Sequence, residues 1–373
     1  MSEFALAHDP LADSADPRLA AIGARCLEGR RLDRAEADSL YYNASLEFLG
    51  ILAHATRMRK HPEPIVTFVG DRNINYSNVC VCQCRFCAFY KKPGESGGYV
   101  ISRAEMAAKI EETLRLGGTQ ILLQGGHHPD LPFSWYEELL AWMRVTWPDL
   151  HIHAFSPPEI MYWSRKFGMP AARIIQRLMA AGLNSIPGGG AEVLHDQARH
   201  EASPNKCTAA EWLSVMETAH RLGMATTATM MFGHVEQPGH RLDHLFAIRE
   251  LQDRTGGFTA FIPWTFQPAN TQLAVPSLPA PAYLRLLALS RLVLDNVPNI
   301  QASWVTMGPE VAQIALYYGA NDFGSLMIEE NVVAAAGVSY HLNREDIVAI
   351  IRAAGFVPRQ RAMDYTLLPT REL

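Results

Sequence analysis

The sequence predicts an α/β barrel of TIM type: near-complete at eight parallel strands, with a helical extension ahead of it and a further extension behind it. Three observations predict this class. From Pro64 onward, short β-rich runs alternate with helical segments, the pattern that crossover connections between parallel strands produce. The helical segments carry their own start and stop residues. The length of 373 residues exceeds the roughly 250 that one such barrel needs. The surplus suits an N-terminal extension over 1–64 and a C-terminal extension over 331–373, packed on a barrel core at 65–330.

Taken in chain order, residues 1–64 are polar and helix-prone, with an amphipathic stretch over 35–60. The strand candidates then follow: PIVTFVG (64–70), TQILLQGG (119–126), LHIHAFS (150–156), LNSIPGG (183–189), ATTATMMFG (225–233), FTAFIPW (258–264), IQASWVT (300–306) and NDFGS (321–325). Between them, Ser102 with Glu105, Ser134 with Glu137 and Thr208 with Glu211 have the spacing of capping boxes, which satisfy the orphan amides of a helix start. Met106, Ile110 and Leu114 recur at helical spacing after the first of these, and Gly117 suits its C-terminal cap. Gly182 and Gly223 stop two more helices, and PSLPAPAY (276–283) reads as an exposed loop before a late helix.

Composition narrows the function. With 48% apolar and 19% charged residues the chain can bury a large core. The net charge is −5 and the Lys and Arg residues are scattered, so the dense basic surface that a phosphate backbone requires is missing and nucleic acid is excluded as a partner. No run of 18 apolar residues occurs, and the N-terminal stretch is acidic rather than basic-then-apolar. A soluble cytoplasmic enzyme without a membrane span is expected.

Four of the six cysteines fall between Cys80 and Cys87, while Cys26 and Cys207 stand alone. Such crowding is poor geometry for disulfides and points to metal binding. Cys80, Cys84 and Cys87 are spaced CxxxCxxC in a loop after the first strand candidate. Three thiolates on one loop can hold three irons of a [4Fe-4S] cubane and leave the fourth open. An open iron is what the amino and carboxylate groups of S-adenosyl-L-methionine would chelate. A structural zinc site using Cys80 or Cys82 with Cys84 and Cys87 is the alternative, and Cys82–Cys84–Cys87 forms a competing CxCxxC triplet; Cys82 is assigned to packing. Phe86 stands where an aromatic ring could lie along an adenine, or simply pack in the core.

Active sites of such barrels form at the C-terminal ends of the strands. The residues there are Gln124, Gly125, Gly126 and His127; Ser156 and Glu159; Gly188, Gly189, Gly190 and Glu192; His234 and Glu236; Trp264 and Gln267; Trp304 and Thr306; Asn321, Asp322 and Ser325.

The cysteine spacing on a first βα loop resembles the radical S-adenosylmethionine superfamily. The longer segments GDRNINYSNVC, CRFCAFY, LLQGGHHPDL, HAFSPPEI, SIPGGGAEVL, MMFGHVE, GGFTAFIPWTFQP, NIQASWVTMGP and GANDFGSLMIEENVVAAAG are similar to the cyclic dehypoxanthine futalosine synthases of the futalosine route to menaquinone, over about residues 40–370. Two sibling families, the aminofutalosine synthases and the FO synthase subunit that joins tyrosine-derived and diaminouracil partners, share this style of barrel. Gln124 in the QGG loop sets the chain apart from the first, and the GGGAE and MIEEN stretches from the second.

The resemblance implies a radical SAM oxidoreductase that turns dehypoxanthine futalosine into its cyclic product. Reduced flavodoxin or ferredoxin supplies one electron, S-adenosylmethionine is cleaved, and the 5′-deoxyadenosyl radical takes the ribose C4′ hydrogen. The C4′ radical adds to the benzoate-bearing ring, and loss of one electron and one proton restores aromaticity. On this reading Cys80, Cys84 and Cys87 hold the metal. Phe86, Gln124, Gly125, Gly126, Ser156 and Glu159 bind the S-adenosylmethionine, with strand-end capping as the alternative for Ser156 and Glu159. Glu192 and His234 contact substrate or remove the ring proton. Trp264, Trp304 and Phe266 either enclose the substrate ring or fill the barrel. Outside the radical SAM readings stands a structural metal-binding protein.

Overall fold

The computed structural model describes residues 16–338 and 340–369; the first fifteen residues of the predicted extension lie outside them. Among the described residues three helices precede the strands. In α1 (Pro17–Leu27) the Asp16 side chain accepts from the Arg18 amide and Pro17 occupies the first turn. An Asp33/Glu36 capping box starts α2 (Arg34–Asn43), and Ser45 Oγ caps α3 (Leu46–Lys60) through the Phe48 amide at 3.1 Å. The amphipathic stretch over 35–60 is therefore two helices. Ala44 is extended, and the Ser45 cap restarts the chain in a new direction.

The remaining elements are β1 (Ile65–Val69), β2 (Asp71–Asn75), α4 (Arg103–Arg115), β3 (Gln120–Gln124), α5 (Phe133–Thr146), β4 (His151–Ala154), α6 (Pro157–Phe167), α7 (Ala171–Ala181), α8 (Asp196–Ala202), α9 (Ala209–Arg221), β5 (Thr226–Phe232), α10 (Pro238–Thr255), β6 (Phe258–Thr265), α11 (Ala280–Val293), β7 (Asn299–Ile300), α12 (Trp304–Met307), α13 (Pro309–Ala315), β8 (Asp322–Ser325), α14 (Val332–Ala335), α15 (Arg344–Ala353) and β9 (Val357–Gln360). All strand pairings are parallel, in three groups: β2–β3–β4, β5–β6–β7 and β8–β1–β9. Isolated parallel bridges link the groups, His153 to Ser185, Ile186 to Thr226 and Gln301 to Asp322. Beyond β8, the Ile328 amide donates to Asp71 O and the Asn73 amide to Glu329 O, each at 3.2 Å, so this segment also runs along β2.

Apolar strand residues such as Ile121, Leu123, Ile152, Ala228, Met230, Phe261 and Phe323 face a fully buried core, which continues into the faces of α5, α7, α9 and α11. Packing of α3 along α11 attaches the extension. Among the described residues no helix is long and apolar enough to cross a membrane.

Several expectations change. LNSIPGG forms bridges at Ser185 and Ile186 rather than a full strand. Of IQASWVT, only Ile300 belongs to a strand and Gln301 to a bridge, whereas Trp304–Met307 is helical. Ser134 and Glu137 make no capping box: the helix starts two residues earlier, at Phe133 behind Pro132, and Glu137 instead binds Arg177 Nε at 2.7 Å. The boxes at Ser102 and Thr208 are present, and Gly117, Gly182 and Gly223 all take positive φ at helix ends. Two strands had no counterpart in the reading of the sequence. β2, sequence DRNIN, is wholly buried because each polar side chain has a partner; Asp71 accepts from Gln120 Nε2 at 2.8 Å and Asn73 donates to Glu330 at 2.7 Å. β9 comes from the C-terminal extension and pairs with β1.

Candidate active site

The chain leaves β2 at the C-terminal end of the strands and enters the cysteine loop. Its backbone is tied down on two sides: Cys80 N donates to Lys91 O at 2.9 Å, and Val81 N to His127 O at 3.1 Å. Cys80 Sγ accepts from the His127 amide at 3.3 Å and the Cys82 amide at 3.4 Å. Cys82 and Cys84 sulfurs stand 3.5 Å apart, both buried. All six cysteines are free thiols. Among the described residues no group of three or more His, Cys, Asp or Glu is placed to hold a single metal ion. The donor set fits an iron–sulfur cluster, since three thiols share one loop and two amides already point at the Cys80 sulfur, the kind of contact that tunes cluster sulfurs.

Against this loop lies the turn after β3. A methyl group on Gly126 would sit 2.1 Å from Val79 O and 2.8 Å from Cys80 Cβ, and one on Gly125 would fall 2.4 Å from the Tyr76 ring. The two glycines are thus what lets the β3 turn press on the cysteine loop. Gly126→Ala is expected to destabilise the protein by about 2 kcal/mol through overpacking and to lower iron uptake, read by urea unfolding and metal analysis.

Glu159 is buried with every acceptor site in use. Oε2 takes Ser156 N at 2.7 Å and Ser156 Oγ at 2.6 Å, while Oε1 takes Tyr76 Oη at 2.7 Å and Gly125 N at 3.3 Å. Burial raises its pKa against those hydrogen bonds. Ser156 and Glu159 are the capping box of α6, and through Gly125 they brace the β3 turn. Gln124 packs on the far side, where its amide would collide with any side chain at Gly189.

Beyond the glycines, Glu192 is buried at φ +40°. Lys206 Nζ reaches its Oε1 at 2.6 Å and Arg199 Nη1 its Oε2 at 3.4 Å. Despite burial, the two cations hold its pKa below the usual carboxylate range. The residues 199–207 also bind the cysteine loop: Arg85 N donates to Ala202 O at 2.9 Å and Asn205 Nδ2 to Cys82 O at 3.2 Å. Sequence reasoning missed Lys206, because it sits in the aperiodic polar loop EASPNKC and its partner is reached only through the fold.

His234 is buried; its Nε2 lies 3.2 Å from Met231 O and its Nδ1 3.3 Å from Glu236 Oε2. Burial lowers its pKa, so the ring is neutral near pH 7. Glu236 also accepts from Gly233 N and Arg241 Nε, each at 2.7 Å. Phe86 joins Met231, Phe266 and Leu273, with Trp264, Val235 and Val275, in a small apolar cluster separate from the main core. Trp304 is not with them: it is buried in the main core and donates to Ser325 O at 2.9 Å. His127 stacks on Tyr162 at 4.8 Å.

The wall carrying Glu192 is anchored by His244 on α10, whose Nδ1 accepts from Leu194 N at 3.0 Å. Burial pushes its pKa down to about 3. The unfolded chain takes up a proton near pH 6.5, so stability is complete above that pH and is lost as the pH falls toward the folded value. Between about pH 7 and pH 5 this one group costs about 2 kcal/mol. His244→Asn, which keeps an acceptor at the δ position, should shrink the pH-dependent drop by that amount in urea unfolding at the two pH values.

Two family models match the chain: the radical SAM superfamily over residues 74–248 and the CofH/MqnC C-terminal region over residues 255–372. A cyclic dehypoxanthine futalosine synthase of Halalkalibacterium halodurans is 45% identical, covering 93% of this chain and 94% of that protein. One of Streptomyces coelicolor is also 45% identical, covering 91% and 86%. Among solved structures, the FeFe-hydrogenase maturase HydG from Carboxydothermus hydrogenoformans aligns with a TM-score of 0.71 at 17% identity, covering 93% of this chain and 80% of that one.

Proposed function

The chain belongs to the radical SAM superfamily, with its TIM-barrel fold and the CofH/MqnC C-terminal region, and from that membership we propose that it converts dehypoxanthine futalosine to cyclic dehypoxanthine futalosine in menaquinone biosynthesis. The observation that carries this reading is 45% identity over nearly the whole length to a protein of that name, in a chain whose three spaced thiols lie on the loop that follows β2. The acting unit is a near-complete eight-stranded barrel over 65–330, flanked by 1–64 and 331–373, in a cytoplasmic protein reduced by flavodoxin or ferredoxin.

A [4Fe-4S] cluster on Cys80, Cys84 and Cys87, with S-adenosylmethionine, supplies the 5′-deoxyadenosyl radical when bound. The chain's own residues do the rest. Phe86, Gln124, Gly125 and Gly126 form the binding edge for S-adenosylmethionine, which Ser156 and Glu159 brace. The apolar cluster of Phe86, Met231, Phe266 and Trp264 keeps water from the reacting carbons. Positioning of the ribose C4′ hydrogen is the main service such a pocket gives. His234, neutral near pH 7, accepts the ring proton at Nδ1, where Glu236 Oε2 at 3.3 Å stabilises the cation formed. Glu192, held ionised by Lys206 and Arg199, contacts the substrate's polar groups.

The test is anaerobic reconstitution with iron and sulfide, reduction, and addition of S-adenosylmethionine and dehypoxanthine futalosine, followed by mass analysis. The expected product is lighter than its substrate by two hydrogens and appears together with 5′-deoxyadenosine. Formation of 5′-deoxyadenosine with untouched substrate would overturn the substrate assignment alone.

A further inference from the structure

We infer that Lys206 sets the charge beside the cysteine loop, as a buried ammonium that raises the reduction potential of a cluster held by Cys80, Cys84 and Cys87. The inference rests on the cluster assignment above and concerns a residue that takes no part in binding iron. Three observations place this cation. Its side chain is 11% exposed, and Nζ is 2.6 Å from Glu192 Oε1. It stands 4.8 Å from the centroid of the Phe86 ring, the residue next to Cys87. Its loop is fastened to the cysteine loop by Asn205 Nδ2 on Cys82 O and by Arg85 N on Ala202 O.

The charges around it do not cancel. Glu192 is shared between Lys206 and Arg199, and the Arg199 guanidinium is otherwise spent on the carbonyls of Gly190, Ala191 and Cys207. Two cations and one carboxylate leave a net positive charge, with Lys206 on the side of Phe86 and the cysteine loop. Each electron added to a thiolate-bound cluster makes it more negative, and a nearby positive charge in a water-poor site favours that state. Packing alone would not require a cation here; a methionine would fill the space between Phe86 and Glu192.

Lys206 is thus a positioning residue, and its signature is a potential. The experiment measures the midpoint potential of the reconstituted protein by dye-mediated titration followed by electron paramagnetic resonance, with neither S-adenosylmethionine nor substrate present. Lys206→Met is expected to shift the midpoint to more negative values, Lys206→Arg to restore it toward the unmodified protein, and Glu192→Gln to shift it the opposite way. Unshifted midpoints in Lys206→Met and Glu192→Gln, at normal iron content, would overturn the inference. So would shifts of the same sign in both, which a merely loosened loop would give. If Lys206→Met takes up no iron, Glu192→Gln decides: an upward shift supports the assignment and no shift defeats it. Failure of the unmodified protein to take up iron would instead defeat the cluster assignment on which the inference stands.

Discussion

Cys84→Ala protein, reconstituted anaerobically with iron and sulfide, should retain almost none of the roughly four irons that a full cubane brings, and its turnover should fall to background. Cys80→Ala and Cys87→Ala should behave alike, because losing one of three thiolates leaves two irons without protein ligands. Cys82→Ala is the informative contrast. Its sulfur lies 3.5 Å from that of Cys84, so proximity alone cannot assign the triplet. The two amides aimed at a sulfur point at Cys80, which supports the proposal of Cys80 as a ligand and Cys82 as a dispensable neighbour. Retention of iron by Cys82→Ala and loss by Cys80→Ala in metal analysis is the expected pair; the reverse would move the triplet. Uptake of one zinc in place of iron by the unmodified protein would dismiss both triplets as cluster sites.

The largest loss of stability is expected from Arg361→Met. Asp322, fully buried on β8, receives Arg361 Nε at 2.5 Å and Nη2 at 3.2 Å, along with Thr67 Oγ1 at 2.6 Å and Gly324 N at 2.8 Å. The guanidinium also lies over the Tyr365 ring, 3.9 Å from its centroid. Removing the cation leaves a buried carboxylate with only neutral donors, a change that costs about 3–5 kcal/mol. The Thr67 and Gly324 contacts persist and place the expectation near 3. The double replacement Asp322→Asn with Arg361→Met should recover much of this, since it abandons no charge in the interior. Urea unfolding of the two variants checks the order; a double variant no more stable than the single one would mean that Arg361 acts by packing.

What could be read without coordinates was what depends on neighbours in the chain. The Ser102 and Thr208 boxes and the apolar runs of β3 to β6 are short-range patterns, and each has its counterpart in the fold. The strand DRNIN was invisible because hydropathy reads Asp71, Arg72 and Asn73 as surface residues. Their burial depends on Gln120, Glu112 and Glu330, far away in sequence. For the same reason Lys206 could not be found: nothing in its loop announces Glu192 or Phe86. Ser134 failed differently, since the box spacing is there but Pro132 starts the helix first and Arg177 claims the glutamate. Glu159 was legible as a strand-end residue, whereas its four hydrogen bonds and its hold on Gly125 needed the third dimension.

The pairing of β1 between β8 and β9 bears on how the protein is made. β1, which runs directly into β2 and so toward the cysteine loop, finds neither lateral neighbour until residues 322–325 and 357–360 have been synthesised, so its ladder has the long sequence separation that delays folding. Until residues 328–329 have been made, β2, which leads into the loop of Cys80, Cys84 and Cys87, is paired on one side only. Iron delivery to the proposed site is accordingly work for a chain extended beyond residue 360, and an oxidant that arrives earlier meets three unprotected sulfurs.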